Sequence, residues 1–93
     1  MAQLEKIENV HFNDPKDGYL KTLKALPGLG IEIWKTREIA HLILARKSMG
    51  DHEIQCNIMF NFNGTVSISL ESGAENDGEL ESLASDILAA ILA

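Results

Sequence analysis

One cysteine, Cys56, is all that the 93 residues contain, so no disulfide can form within the chain. Basic residues are missing from the entire second half. All eight Lys and Arg lie at or before Lys47 and face six acids there, whereas residues 48–93 carry eight acids and no base. A segment of formal charge +2 is therefore followed by one of −8. Phosphate contacts need Lys and Arg, which excludes nucleic-acid binding through the second half. No apolar run is longer than Ile87 to Ala93, far short of the 18 or more residues that a membrane span takes. The opening Met1-Ala2-Gln3-Leu4-Glu5 also lacks the cationic and then apolar pattern of a secretory signal. The expectation is a cytoplasmic protein with no membrane partner. Repeats and low-complexity tracts are absent as well.

What is present suits a single α+β domain over residues 1–93. The chain is 45% apolar and 24% charged, which is ordinary for a globular protein. A compact monomer of this size buries only about 64% of the surface that its unfolded chain exposes. Such a core is marginal, and a partner would add to it.

Residues 1–12 place Leu4, Ile7 and Val10 at helical spacing but Val10 and Phe12 at strand spacing, so this arm stays unassigned. Asp14-Pro15 supplies an N-cap and a proline for the first helical position, predicting a short helix over 15–26 with Tyr19, Leu20, Leu23 and Leu26 on one face. Pro27-Gly28-Leu29-Gly30 ends it. Gly30 to Lys35 reads as a strand with Ile31 and Ile33 inward and Trp34 outward. Between Glu53 and Glu71, Ile54, Cys56, Ile58, Phe60 and Phe62 alternate with Gln55, Asn57, Met59 and Asn61, and Val66, Ile68 and Leu70 with Thr65, Ser67 and Ser69, as half-buried strands do. A two-residue Asn63-Gly64 turn would set Phe60 against Ser67 and mix the two rows. A three-residue loop Phe62-Asn63-Gly64, with Gly64 left-handed, instead pairs Phe60 with Val66, Ile58 with Ile68 and Cys56 with Leu70.

Residues 39–46 fit either a helix capped by Thr36 or a strand turning through Met49-Gly50-Asp51. The strand is favoured, because Leu42-Ile43-Leu44 is apolar on both faces and a meander gives each strand a neighbour. Asn76 followed by Glu79 resembles a capping box, and Leu80, Leu83, Ala84, Ile87 and Ile91 form a stripe on a final helix over 77–92. The sum is a short N-terminal helix, a three- to four-stranded antiparallel meander and a C-terminal helix packed on one sheet face.

No chemistry-bearing motif stands out. His11, His41 and His52 lack close pairing, and one cysteine cannot supply a thiolate zinc set. Cys56 falls in an inward row, where a thiol acts as a small hydrophobe. Asp51-His52-Glu53 gathers ionisable groups at a turn, where solvation alone explains them. Asn63-Gly64-Thr65 matches a glycosylation acceptor but serves a turn equally well. Neither a catalytic set nor a cofactor or metal site is expected.

Two surfaces remain. If Ala40, Leu42 and Leu44 face the core, then Ile39, His41 and Ile43 lie beside Met59 on the other sheet face with Trp34 nearby, an apolar stripe that association would cover. Glu75, Glu79 and Glu81 crowd the entry to the last helix, where they favour its dipole and would also meet a basic partner. The expected function is a small acidic non-enzymatic interaction module of inhibitor, immunity or chaperone type, either a homodimer or bound to a protein partner. The competing reading is a ligand or enzyme site between subunits, lined by Trp34, His41, Gln55 and Asn57.

Overall fold

The first strand of the chain pairs with the last. In the computed structural model, which describes residues 2–12, 14–75 and 77–93, β1 (Ala2–Asn9) is followed by α1 (Pro15–Ala25), β2 (Glu32–Arg37), β3 (Leu42–Ser48), β4 (Glu53–Phe60), β5 (Thr65–Ser72) and α2 (Asp77–Leu92). The five strands form one antiparallel sheet in the order β1-β5-β4-β3-β2. The α+β class and the meander β2 to β5 agree with the sequence reading. The unassigned arm supplies a fifth strand, so the sheet exceeds the three or four expected and the first helix is preceded by an edge strand. Leu4 lies opposite Leu70 and Lys6 opposite Ile68, so a lysine occupies an inward position and hides the strand periodicity. It reaches Glu81 of α2 at 3.2 Å.

Both helices cover the same face. Asp14 caps α1 by accepting from the Lys16 amide at 2.9 Å, with Pro15 at the first helical position. The buried side of α1 consists of Gly18, Tyr19 and Thr22, with Leu26 just beyond in a short 3₁₀ turn; Leu20 is exposed. Leu80, Leu83, Ala84, Ile87 and Ile91 of α2 are all buried as its periodicity predicts. They join Ile54, Cys56, Ile58, Phe60, Val66, Ile68 and Leu70 in one core. Asn76, half of the expected capping box, lies outside the described residues. Among the described residues no helix is long and apolar enough to cross a membrane.

The β4–β5 hairpin has the expected register, with Phe60 opposite Val66 and Cys56 opposite Leu70, and Gly64 at φ +83°. The strand reading of residues 42–46 also agrees, but residues 38–40 form a 3₁₀ turn and the strand faces the other way. Ile43 and Ala45 are fully buried opposite Ile58 and Cys56, while Leu42 and Leu44 lie outward opposite Met59 and Asn57. The cause is the turn. The Met49 amide donates to the His52 carbonyl at 2.8 Å, leaving Gly50-Asp51 as a two-residue tip, where a three-residue loop Met49-Gly50-Asp51 would have turned Leu42 and Leu44 inward. A change of one residue in a loop exchanges the two faces of a strand.

Gly18 brings α1 onto the sheet. A Cβ there would sit 2.5 Å from Cε1 of Phe60 and 3.0 Å from Cδ2 of Phe12, two rings already in edge contact at 6.0 Å between centroids. Gly18→Ala should therefore destabilise the fold by about 1–3 kcal/mol through overpacking, despite the better helix propensity of alanine. Gly28→Ala, which meets nothing within 4 Å, should be neutral or slightly stabilising. Gly64→Val should cost at least about 1 kcal/mol, because a β-branched residue resists positive φ. Urea denaturation of the three variants checks all of these outcomes.

Candidate functional site

The face of the sheet opposite the helices is uncovered. Strand pairing sets three cross-strand rows of outward side chains across all five strands, with Asn9 and Thr65 beyond one end and Ser48 and Glu53 beyond the other. The first runs Ile7, Ser67, Met59, Leu42, Arg37. The middle row is Glu5, Ser69, Asn57, Leu44, Lys35. The third is Gln3, Glu71, Gln55, Arg46, Glu32. Ile7 is 69% exposed and Met59 36%, while Leu42 and Leu44 are half-buried. Apolar groups thus concentrate in the first two rows among small hydroxyls. Arg46 pairs with Glu32 at 3.4 Å, and Gln55 donates to Asn57 at 3.4 Å. Ser67 accepts from Asn61 Nδ2 at 3.0 Å.

The sequence-predicted site residues do not gather on this face. Met59 is there. Ile43 is not: it is 0% exposed and belongs to the core, so Leu42 and Leu44 take the place given to it. His41 stands at the helix-side end of β3 with φ +51°, its ring edge-on to Tyr19 at 6.1 Å and to Phe62 at 5.5 Å. Ile39, beside it in sequence, is 98% exposed in the 3₁₀ turn. Trp34 occupies a bulge in β2, where the register shifts between Ile33 and Lys35, and is 47% exposed at the sheet edge. Of Trp34, His41, Gln55 and Asn57, the residues of the competing reading, only the two amides share a face within one chain.

The acidic residues at the helix entry make internal ties. Glu79 accepts from His52 Nε2 at 2.6 Å, while His52 Nδ1 lies 2.6 Å from Asp51. Glu81 pairs with Lys6, and Glu75 is exposed just before α2. Sequence reasoning grouped His52 with Asp51 and Glu53; its principal partner is 27 positions away, and no local signal announces it. Lys47, Met49, Ile54, Glu79, Ser82, Leu83 and Asp86 line a shallow cleft of about 150 Å³ beside this pair. Both ring nitrogens of His52 are engaged by carboxylates, an arrangement that fastens the β3–β4 turn to α2. Among the described residues no three His, Cys, Asp or Glu side chains are placed to hold a metal ion. Cys56 has its thiol pushed up to about 11 by burial, so thiolate chemistry is suppressed.

Comparison with known proteins gives no match: no family model, no curated protein and no solved structure is similar to the chain. The site has to be read from its own chemistry.

The hydrogen bond to Glu79, and next that to Asp51, raises the His52 pKa above its ordinary 6.5. Bonding to the same imidazolium lowers that of Asp51. A raised folded-state pKa means that the stabilisation is complete below 6.5 and is lost as pH rises through the folded-state value. Glu79→Gln should therefore lower the His52 pKa in an NMR titration. It should also reduce Tm at pH 6, with the difference from the parent shrinking as pH rises past that value. The Cys56 thiol, for its part, should react with an aromatic disulfide reagent only under unfolding conditions.

Proposed function

We propose that this chain is a non-catalytic protein-interaction module whose working surface is the open face of its sheet. The observation that carries this reading is the one-sided architecture: both helices pack on one side, and the other presents Met59, Leu42 and Leu44 as an apolar cluster among small polar groups, with Ile7 beyond Ser67. An apolar patch of this kind, rimmed by charge, suits association with another protein. The acidic entry to α2 is the weaker of the two candidate surfaces, since Glu79 and Glu81 are held by His52 and Lys6. A catalytic reading gains no support from His52, with both nitrogens occupied, or from the buried Cys56.

Placing a photo-crosslinking benzoyl-phenylalanine at Gln55 on the open face, and separately at Ser85 on the exposed side of α2, tests the assignment in cells producing the chain. Illumination should give protein adducts from position 55 and none from position 85, with both variants folded by circular dichroism. Absence of adducts at 55, or equal yields at the two positions, would overturn the reading.

A further inference from the structure

Resting on that reading, we propose that the occupant of the open sheet face is a second copy of this chain, packed face to face about a two-fold axis that runs parallel to the strands. The pattern of the face is what selects this partner. Its β1 side carries Glu5 and Glu71 of the neighbouring β5, and its β2 side carries Lys35 and Arg37 with Arg46 of the neighbouring β3, against the single acid Glu32. One sheet is therefore acidic toward one edge and basic toward the other.

The proposed axis passes along β4, the central strand, and lays β1 of one protomer over β2 of its partner and β5 over β3. Both acids of the β1 side then meet bases of the second copy. In the middle row Glu5 faces Lys35 of the second copy, Ser69 faces Leu44, and Asn57 faces Asn57. In the first row Ile7 faces Arg37, Ser67 faces Leu42 and Met59 meets its own equivalent. In the third Gln3 faces Glu32, Glu71 faces Arg46 and Gln55 meets Gln55, with Glu53 meeting Glu53 at the solvent-exposed end of β4. Each large apolar side chain of β3 enters the space above a serine of β5. A carboxamide carries both donor and acceptor, so the amides on the axis can pair reciprocally. An axis perpendicular to the strands would instead stack Glu5 on Glu5 and Leu44 on Leu44, joining like charges and large side chains.

The dimensions suffice. Five strands of six to eight residues present a face of about 24 Å by about 25 Å. This amounts to about 600 Å² on each protomer and about 1,200 Å² in total, the lower bound of stable interfaces. Aligned sheets pack at about 30° to one another, which moves the ends of the middle row by about 5 Å, within the span of a lysine side chain. The outer charges remain in reach.

Charge exchange across the interface tests both the partner and the axis. Sedimentation of the unmodified chain should show a species of twice 10.2 kDa at micromolar concentration. Glu5→Lys and Lys35→Glu, each alone, should weaken self-association at least tenfold, because both place like charges at the two symmetric contacts. An equimolar mixture of the two variants should recover a dimer of near-parental affinity, since both contacts are then opposite in sign. Ser85→Lys on α2 should change nothing. A chain that stays monomeric to millimolar concentration overturns the second copy as occupant, and if position 55 still gives heavier adducts, the open face retains its role with a different protein. A dimer that neither single substitution weakens, or a mixture no tighter than its components, overturns the axis proposed.

Discussion

A β-strand sends alternate side chains to opposite sides, so the number of residues in a hairpin loop decides which ones meet the helices. The β4–β5 loop has three residues and keeps even-numbered positions inward on both strands, from Ile54 to Phe60 and from Val66 to Ser72. The β3–β4 turn has a two-residue tip and switches the inward set on β3 to odd numbers, Ile43 and Ala45. Everything else is arranged around that choice. Ile43 closes the core over Ile58, Leu42 and Leu44 are left outside, and the composition of the open face follows from a turn at Gly50-Asp51.

The parts of the fold legible in the sequence are those where one periodicity acts alone. Between Ile54 and Leu70 the inward positions of the two strands are all apolar, with Met59 the apolar exception among the outward ones, and one turn geometry keeps them together. The stripe of α2 is equally unambiguous, and Asp14-Pro15 marks the start of α1 through local hydrogen bonding that needs no tertiary contact. Legibility fails where both faces of a segment are apolar, as in Leu42-Ile43-Leu44, because burial then gains about as much either way. It fails again in β1, where inward Lys6 is accommodated by Glu81 from the far end of the chain. The open face was partly legible through Met59, but Leu42 and Leu44 required the turn parity. The tie from His52 to Glu79 depends on α2 packing beside the β3–β4 turn, which no local pattern encodes.

Charge is distributed by the same topology. The chain places its bases early and its acids late, yet the sheet order β1-β5-β4-β3-β2 sets the last strand beside the first and the second strand at the opposite edge. On the open face Glu5 and Glu71 fall on one side, and Lys35, Arg37 and Arg46, with Glu32, on the other. The inward Lys6 and the helix-side acids are drawn into internal pairs, so they do not blur the pattern of the outer face.

The pairing of β1 with β5 also bears on how the chain assembles during synthesis. Residues 2–9 have their ladder partners at residues 65–72, so β1 has nothing to pair with until β5 has been made. The meander can form earlier from neighbouring segments, whereas closing β1 onto β5 requires a loop of more than fifty residues, whose entropic cost falls late and slows the final step. Until then the inward edge of β5 stays open to any passing strand. The nascent chain is most prone to mispairing in that interval, and charged residues such as Glu5, Lys6 and Glu8 within β1 make the waiting segment a poor template for aggregation.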